Sequence, residues 1–193
     1  MRAEYENVLD DHLGQIHFTY VNTWDELLPA HWHEHLEIIY VLGGEITASI
    51  NDVSYELKKG DIFLVNSNDI HYTYTHEDAR YYLLQIPPVH LERISAKWKG
   101  LKFQELIRSK SADACVQGEQ LENVQGKGLV EMRENRKSTN RADDLYDQLR
   151  DVFRKIAGFY EEKKEGYHLL VLSAVYRLLY FLYTEGIRSE EDI

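Results

Sequence analysis

Between residues 15 and 86 the chain changes direction about every ten residues, and that cadence limits the fold more than any other feature of the sequence. QIHFTYV alternates with period two. EIIYVL and EITASI are apolar or β-branched and are separated by Gly43-Gly44. Asn51-Asp52 falls between EITASI and VSYEL, a residue pair that tolerates the left-handed backbone of a tight hairpin. Lys58-Lys59-Gly60 leads into DIFLV, Asn66 to Asp69 leads into IHYTYT, and RYYLLQI closes the series. Seven such short strands, joined by tight turns, fold as an antiparallel sandwich or barrel.

Pro87-Pro88 ends the strand section. Residues 89–108 read as helix interrupted at Gly100, and residues 109–142 as a polar, mobile linking loop. Leu145, Leu149, Val152, Phe153, Ile156, Phe159 and Tyr160 then recur at helical spacing and make one apolar stripe. Glu161 to Gly166 is a charged turn. From Leu169 to Tyr183 the chain is apolar on nearly every helical face, so it must be covered on more than one side, by the barrel or by a second subunit. The expected organisation is a barrel over residues 1–88, a broken helix and loop over 89–143, and a helical pair over 144–193.

Charge and cysteine content exclude several classes. Residues 1–88 carry 15 acidic and 4 basic residues, while residues 89–193 balance. An N-terminal half of that charge repels nucleic acid and anionic membranes. Cys115 is the only cysteine, which excludes an intrachain disulfide framework and a thiolate zinc cluster and fits a reducing, cytoplasmic location. The first residues, MRAEYENVLDD, are polar and acidic and do not read as a leader. Tyr167 to Tyr183, the longest apolar stretch, is short for a membrane span and is broken by His168, Ser173 and Arg177.

The segment HWHEHLEIIYVLGG holds the chemistry. In an extended strand, His31 and His33 point the same way. A short turn would place His35 in solvent and let Glu37 open the next strand. Two imidazoles and a carboxylate suit Fe, Mn, Ni or Zn, and His71, just after a turn, is the obvious fourth ligand. The residue types alone leave three readings open: a metal site, a hydrogen-bonded ligand site, or a polar rim. By strand parity Thr73 shares a face with His71, Ile39 and Val41 share one with Glu37, and Tyr82 and Leu84 share one with each other. The expected ligand-binding set is therefore His31, His33, Glu37, Ile39, His71, Thr73, Tyr82 and Leu84, with His31, His33, Glu37 and His71 as metal ligands.

His-x-His-x-x-x-Glu followed by Gly44 resembles the first motif of the cupin superfamily, and Gly60 followed by His71 resembles the second. The superfamily's metal quartet maps onto His31, His33, Glu37 and His71. Asp25 stands where a glycine is usual, Asn66 and Asn68 where proline and glycine are, and Thr75 where asparagine often ends the motif. The whole run from His31 to Ile86 is more narrowly similar to the sensor domain of AraC-type transcriptional regulators. EEKKEGYHLLVLSAVYRLLYFLY is similar to that family's helical region, commonly its dimer interface.

The resemblance implies a mainly β chain with C-terminal α: a cupin-like jelly-roll barrel followed by an antiparallel helix pair. It implies a non-catalytic sensor that binds a small-molecule effector, sugars included, and forms a homodimer. DNA binding would belong to a helix-turn-helix domain, which TEGIRSEEDI after Tyr183 does not supply. The alternative is a metal-dependent cupin enzyme of dioxygenase or isomerase type.

Overall fold

The computed structural model describes residues 3–8, 13, 15–76, 78–94, 101–109 and 141–185. Cys115 and most of the expected linking loop lie outside the described residues. Strands run β1 (Glu4–Tyr5), β2 (His17–Thr23), β3 (Glu26–Trp32), β4 (Leu36–Gly43), β5 (Glu45–Ile50), β6 (Val53–Lys58), β7 (Ile62–Val65), β8 (His71–Thr75), β9 (Ala79–Ile86) and β10 (Leu106–Ile107). The helices are α1 (Pro88–Ile94), α2 (Arg141–Glu162) and α3 (Tyr167–Glu185).

Two five-stranded sheets face each other, ordered β1-β3-β8-β5-β6 and β10-β7-β4-β9-β2. All pairings are antiparallel except β1 with β3. This is the mainly β, cupin-like barrel with C-terminal helices that the sequence led us to expect. Asn51 and Asp52 both take positive φ, 46° and 71°, and close the β5–β6 hairpin at that dipeptide. Gly44 turns β4 into β5 at φ 73°, where an added Cβ would come within 2.6 Å of the Asp78 carbonyl oxygen. No other residue fits there without moving backbone.

Both faces of the second sheet are buried. Its inner face joins Ile39, Val41, Phe63, Val65 and Ala79 to Ile46, Ala48, Ile50 and Leu57 of the first sheet. Its outer face carries Phe18, Ile38, Tyr40, Ile62, Leu64, Leu84 and Ile86, and these pack with Leu145, Leu149, Val152, Phe153 and Ile156 of α2 and Val171, Val175, Leu178 and Leu182 of α3. The stripe read from the sequence is thus the face of α2 that covers the barrel. On α3 one side is buried, while Leu169, Leu170, Tyr176 and Tyr180 stay exposed. None of the described helices is long and apolar enough to cross a membrane.

Two local expectations are corrected. Residues 101–109 are not helical: Leu106 and Ile107 pair with Phe63 and Ile62 as an added edge strand. The cause is a side chain acting as a backbone surrogate. Buried Asn66 accepts from the Phe103 amide at 2.7 Å and donates to the Phe103 carbonyl at 3.1 Å, fixing that segment extended. The second correction is β3, which the strand series missed. ELLPAHW contains Pro29, and the register shifts between Leu28 and His31, so the proline sits at an irregularity where its missing N–H breaks no ladder bond.

Candidate functional site: a buried histidine–carboxylate cluster

The register of the barrel brings the polar residues to one end of it. His31 lies opposite His71 across β3 and β8, and Glu37 lies opposite Gln85 across β4 and β9. His33 sits in the bend between β3 and β4. All five side chains are buried. The His31 and His71 rings are 4.0 Å apart between centroids, His33 and His71 4.9 Å, and His31 and His33 6.0 Å.

Hydrogen bonds fix how these rings present themselves. His31 Nδ1 is 2.8 Å from the Pro29 carbonyl and His71 Nδ1 is 3.0 Å from the Asp69 carbonyl. A carbonyl only accepts, so both Nδ1 atoms carry a proton, and a neutral ring then keeps its lone pair on Nε2. His71 Nε2 is buried with no hydrogen-bond partner, 3.8 Å from Glu37 Oε1. His33 Nε2 donates to Glu37 Oε2 at 3.0 Å, and the Gln85 amide donates to the same oxygen at 2.9 Å.

The environment drives these groups apart in acidity. Burial alone would raise the Glu37 carboxyl. The His33 hydrogen bond, the charges of His71 and His33 and the Gln85 amide outweigh it and hold Glu37 at about 2. Burial opposes charge on His33, yet Glu37 and, more weakly, Glu6 raise it above the usual imidazole range. His71 is pushed down by burial, which its Glu37 contact only partly offsets. Protonation is thus favoured on His33 and disfavoured on His71.

The donor set fits a divalent transition metal. The ligating atoms of His31, His33 and His71 lie within 4.8 Å of one another, as do those of Glu6, His33 and Glu37. Buried, unpaired His71 Nε2 and the two backbone-locked tautomers are the features metal-binding histidines show.

Each expected site residue can now be placed. His31, His33, Glu37 and His71 come together. Thr73 and Ile39 face the barrel interior, where Ile39 belongs to the apolar packing that fills the shell away from the histidines. Tyr82 and Leu84 do not line it: they lie on the opposite face of β9, in the core under the helices. The expected parity was off by one, and Tyr81, Leu83 and Gln85 face inward instead. Tyr81 is pushed up to about 12 by burial and then by Glu37 and Glu26. His35, expected in solvent, is half-buried, with its ring 5.9 Å from that of His33.

Sequence reasoning missed Glu6 and Gln85. Glu6 is carried in by β1, its amide donating to the Trp32 carbonyl at 2.9 Å and its Oε2 lying 3.7 Å from both His31 and His33. Nothing in the sequence foretold that parallel pairing. Gln85 did leave a signal, as the lone amide in an apolar strand must find a buried partner. On the outer face of the first sheet, across the strands from the buried rings, a cavity of about 600 Å³ is lined by Leu27, Pro29, Ser49, Ile70 and Tyr72 among others.

The family model for the AraC-like ligand binding domain matches residues 14–179. The chain belongs to that family. Similar solved structures include an RmlC-like cupin from Shewanella frigidimarina (20% identity, 37% of this chain and 66% of that chain, TM-score 0.36). A conserved protein of unknown function from Streptococcus pyogenes is similar too (16%, 38% and 65%, TM-score 0.37). So is a predicted oxalate decarboxylase from Thermotoga maritima (23%, 36% and 64%, TM-score 0.34). The match thus spans just under two thirds of those chains. No curated protein matches.

Proposed function

We propose that this AraC-like ligand binding domain is the sensor of a transcription regulator. A small polar effector, sugars included, binds at the end of the barrel that holds the histidine–carboxylate cluster. The supporting observation is the buried, unpaired Nε2 of His71 beside His31, His33 and Glu37: an imidazole nitrogen with no hydrogen-bond partner of its own among the described residues. The hydrogen-bonded His33–Glu37 pair offers polar groups to an effector hydroxyl. In this view residues 1–88 bind the effector, residues 89–143 connect, and residues 144–193 form a homodimer through the exposed side of α3. DNA binding falls to another domain, and effector binding acts by shifting the population of states.

A metal at His31, His33, Glu37 and His71 is the second reading, favoured by the locked tautomers. Zn, Ni, Mn or Fe held there would supply Lewis acidity, either to fix an effector hydroxyl or, in a cupin enzyme, to polarise a substrate. His33 would then give up its proton, and Gln85 would orient Glu37.

Thermal-shift titration with a panel of neutral sugars, on EDTA-treated and on metal-loaded chain, tests both readings. The sensor reading expects saturable stabilisation by at least one sugar that is lost in His71→Ala. Stabilisation unchanged by His71→Ala refutes it. The metal reading expects about one bound equivalent after chelator-free purification, lost in His33→Ala.

A further inference from the structure

A second cavity, of about 580 Å³, lies on the far side of the second sheet, between the barrel and α2. It is lined by Tyr40 of β4, Tyr82 of β9, Lys59 and Gly60 of the β6–β7 turn, and Tyr146, Arg150, Arg154 and Glu161 of α2. It shares no residue with the histidine cluster.

Its inner wall is made of buried tyrosines, while Lys59, Arg154 and Glu161 are exposed at its edge. Tyr40 is 7% exposed and Tyr146 6%, and both line the cavity. Phenol hydroxyls at a cavity wall are donors that an occupant can use. The Tyr146 hydroxyl lies 3.2 Å from where a Cβ would stand on Gly60, so the glycine leaves room for the phenol at the cavity wall. Burial, and then Tyr40, keeps the Tyr146 phenol protonated and a donor. Arg150 stacks on the Tyr146 ring with its guanidinium carbon 5.6 Å from the centroid, and it bridges to Asp147 at 3.0 Å and Asp151 at 3.7 Å. Its Nε is a buried donor without an acceptor. Lys59 and Arg154 add two more cations to the lining, against the single carboxylate of Glu161, which already accepts from Tyr82 at 3.4 Å.

We infer that this junction is a binding site for a small oxyanion, the carboxylate or phosphate of a metabolite, held by the Tyr40 and Tyr146 hydroxyls and by Arg150, with Lys59 and Arg154 at its rim. Phenol and guanidinium donors converging on one pocket select an acceptor-only group. An occupant touches β4, the β6–β7 turn and α2 together, so it ties the helix pair to the barrel. This site is independent of the effector reading above.

Isothermal titration of the whole chain with inorganic phosphate and, separately, with benzoate at fixed ionic strength tests the inference. Saturable binding, millimolar or tighter, is expected for one or both anions, unchanged by EDTA treatment. Saturation by phosphate alone assigns phosphorylated metabolites, and saturation by benzoate alone assigns carboxylates. The double variant Tyr40→Phe/Tyr146→Phe keeps the rings and is expected to weaken binding about tenfold or more. Gly158→Leu is a second, independent block: Gly158 lines the cavity, an added Cβ there meets no atom within 4 Å, and leucine suits a helix better than glycine. It should abolish binding in a chain at least as stable as the native one. No saturation with either anion, or affinity unchanged in the double phenylalanine variant, overturns the assignment.

Discussion

Acidifying the EDTA-treated chain should leave Glu37 ionised long after ordinary glutamates are neutral. Its carboxyl lies at about 2 in the fold against 4.5 as the reference value. A folded-state value below the unfolded one stabilises the fold above the unfolded value, and that contribution is lost as pH falls through the folded value. The difference is worth about 3 kcal/mol near neutrality, of which about 2 kcal/mol disappears between pH 5 and pH 3. Carbon-detected NMR of the Glu37 carboxyl across acid pH reads this directly. Removing the hydrogen bond with His33→Ala should move the midpoint upward, because burial then acts with less opposition. A native midpoint near that of an exposed glutamate, or one indifferent to His33, would refute the electrostatic account of the cluster.

His33 is raised, so its contribution has the opposite sign: it is complete below 6.5 and is lost as pH rises through the folded-state value. Proton NMR of the ring should show a midpoint above 6.5 that drops in Glu6→Gln. Leu84→Ala, which opens a hole beneath the helices, should cost about 2–5 kcal/mol in urea unfolding and leave titration of the cluster in place. On the proposed dimer reading, Tyr180→Glu, at a position 61% exposed on α3, should lower the mass read by light scattering toward that of one chain.

The grouping of His31, His33 and Glu37 was legible because strand geometry interprets their short spacing directly, and His71 was reached from its place just after a turn and from the motif resemblance. The α2 stripe was legible because a single buried face leaves a clean helical period. β9 was not: RYYLLQI is buried on both sides, so hydrophobicity carries no phase, and Tyr82 and Leu84 were given to the wrong face. The Leu106–Ile107 edge strand depends on Asn66, forty residues upstream by rough count, and Glu6 on a parallel pairing across more than twenty. Such contacts leave no local period to read.

Adjacent residues of β4 and β9 belong to different neighbourhoods: Glu37 and Gln85 to the polar cluster, Ile38, Leu84 and Ile86 to the helix core. The same backbone is thus a party wall between the two. A guest that displaces Glu37 or Gln85 sideways moves its immediate chain neighbours against α2 and α3 in the same step. Communication across this molecule is therefore one residue thick, and a substitution that stiffens β9 should blunt it even with every polar group intact.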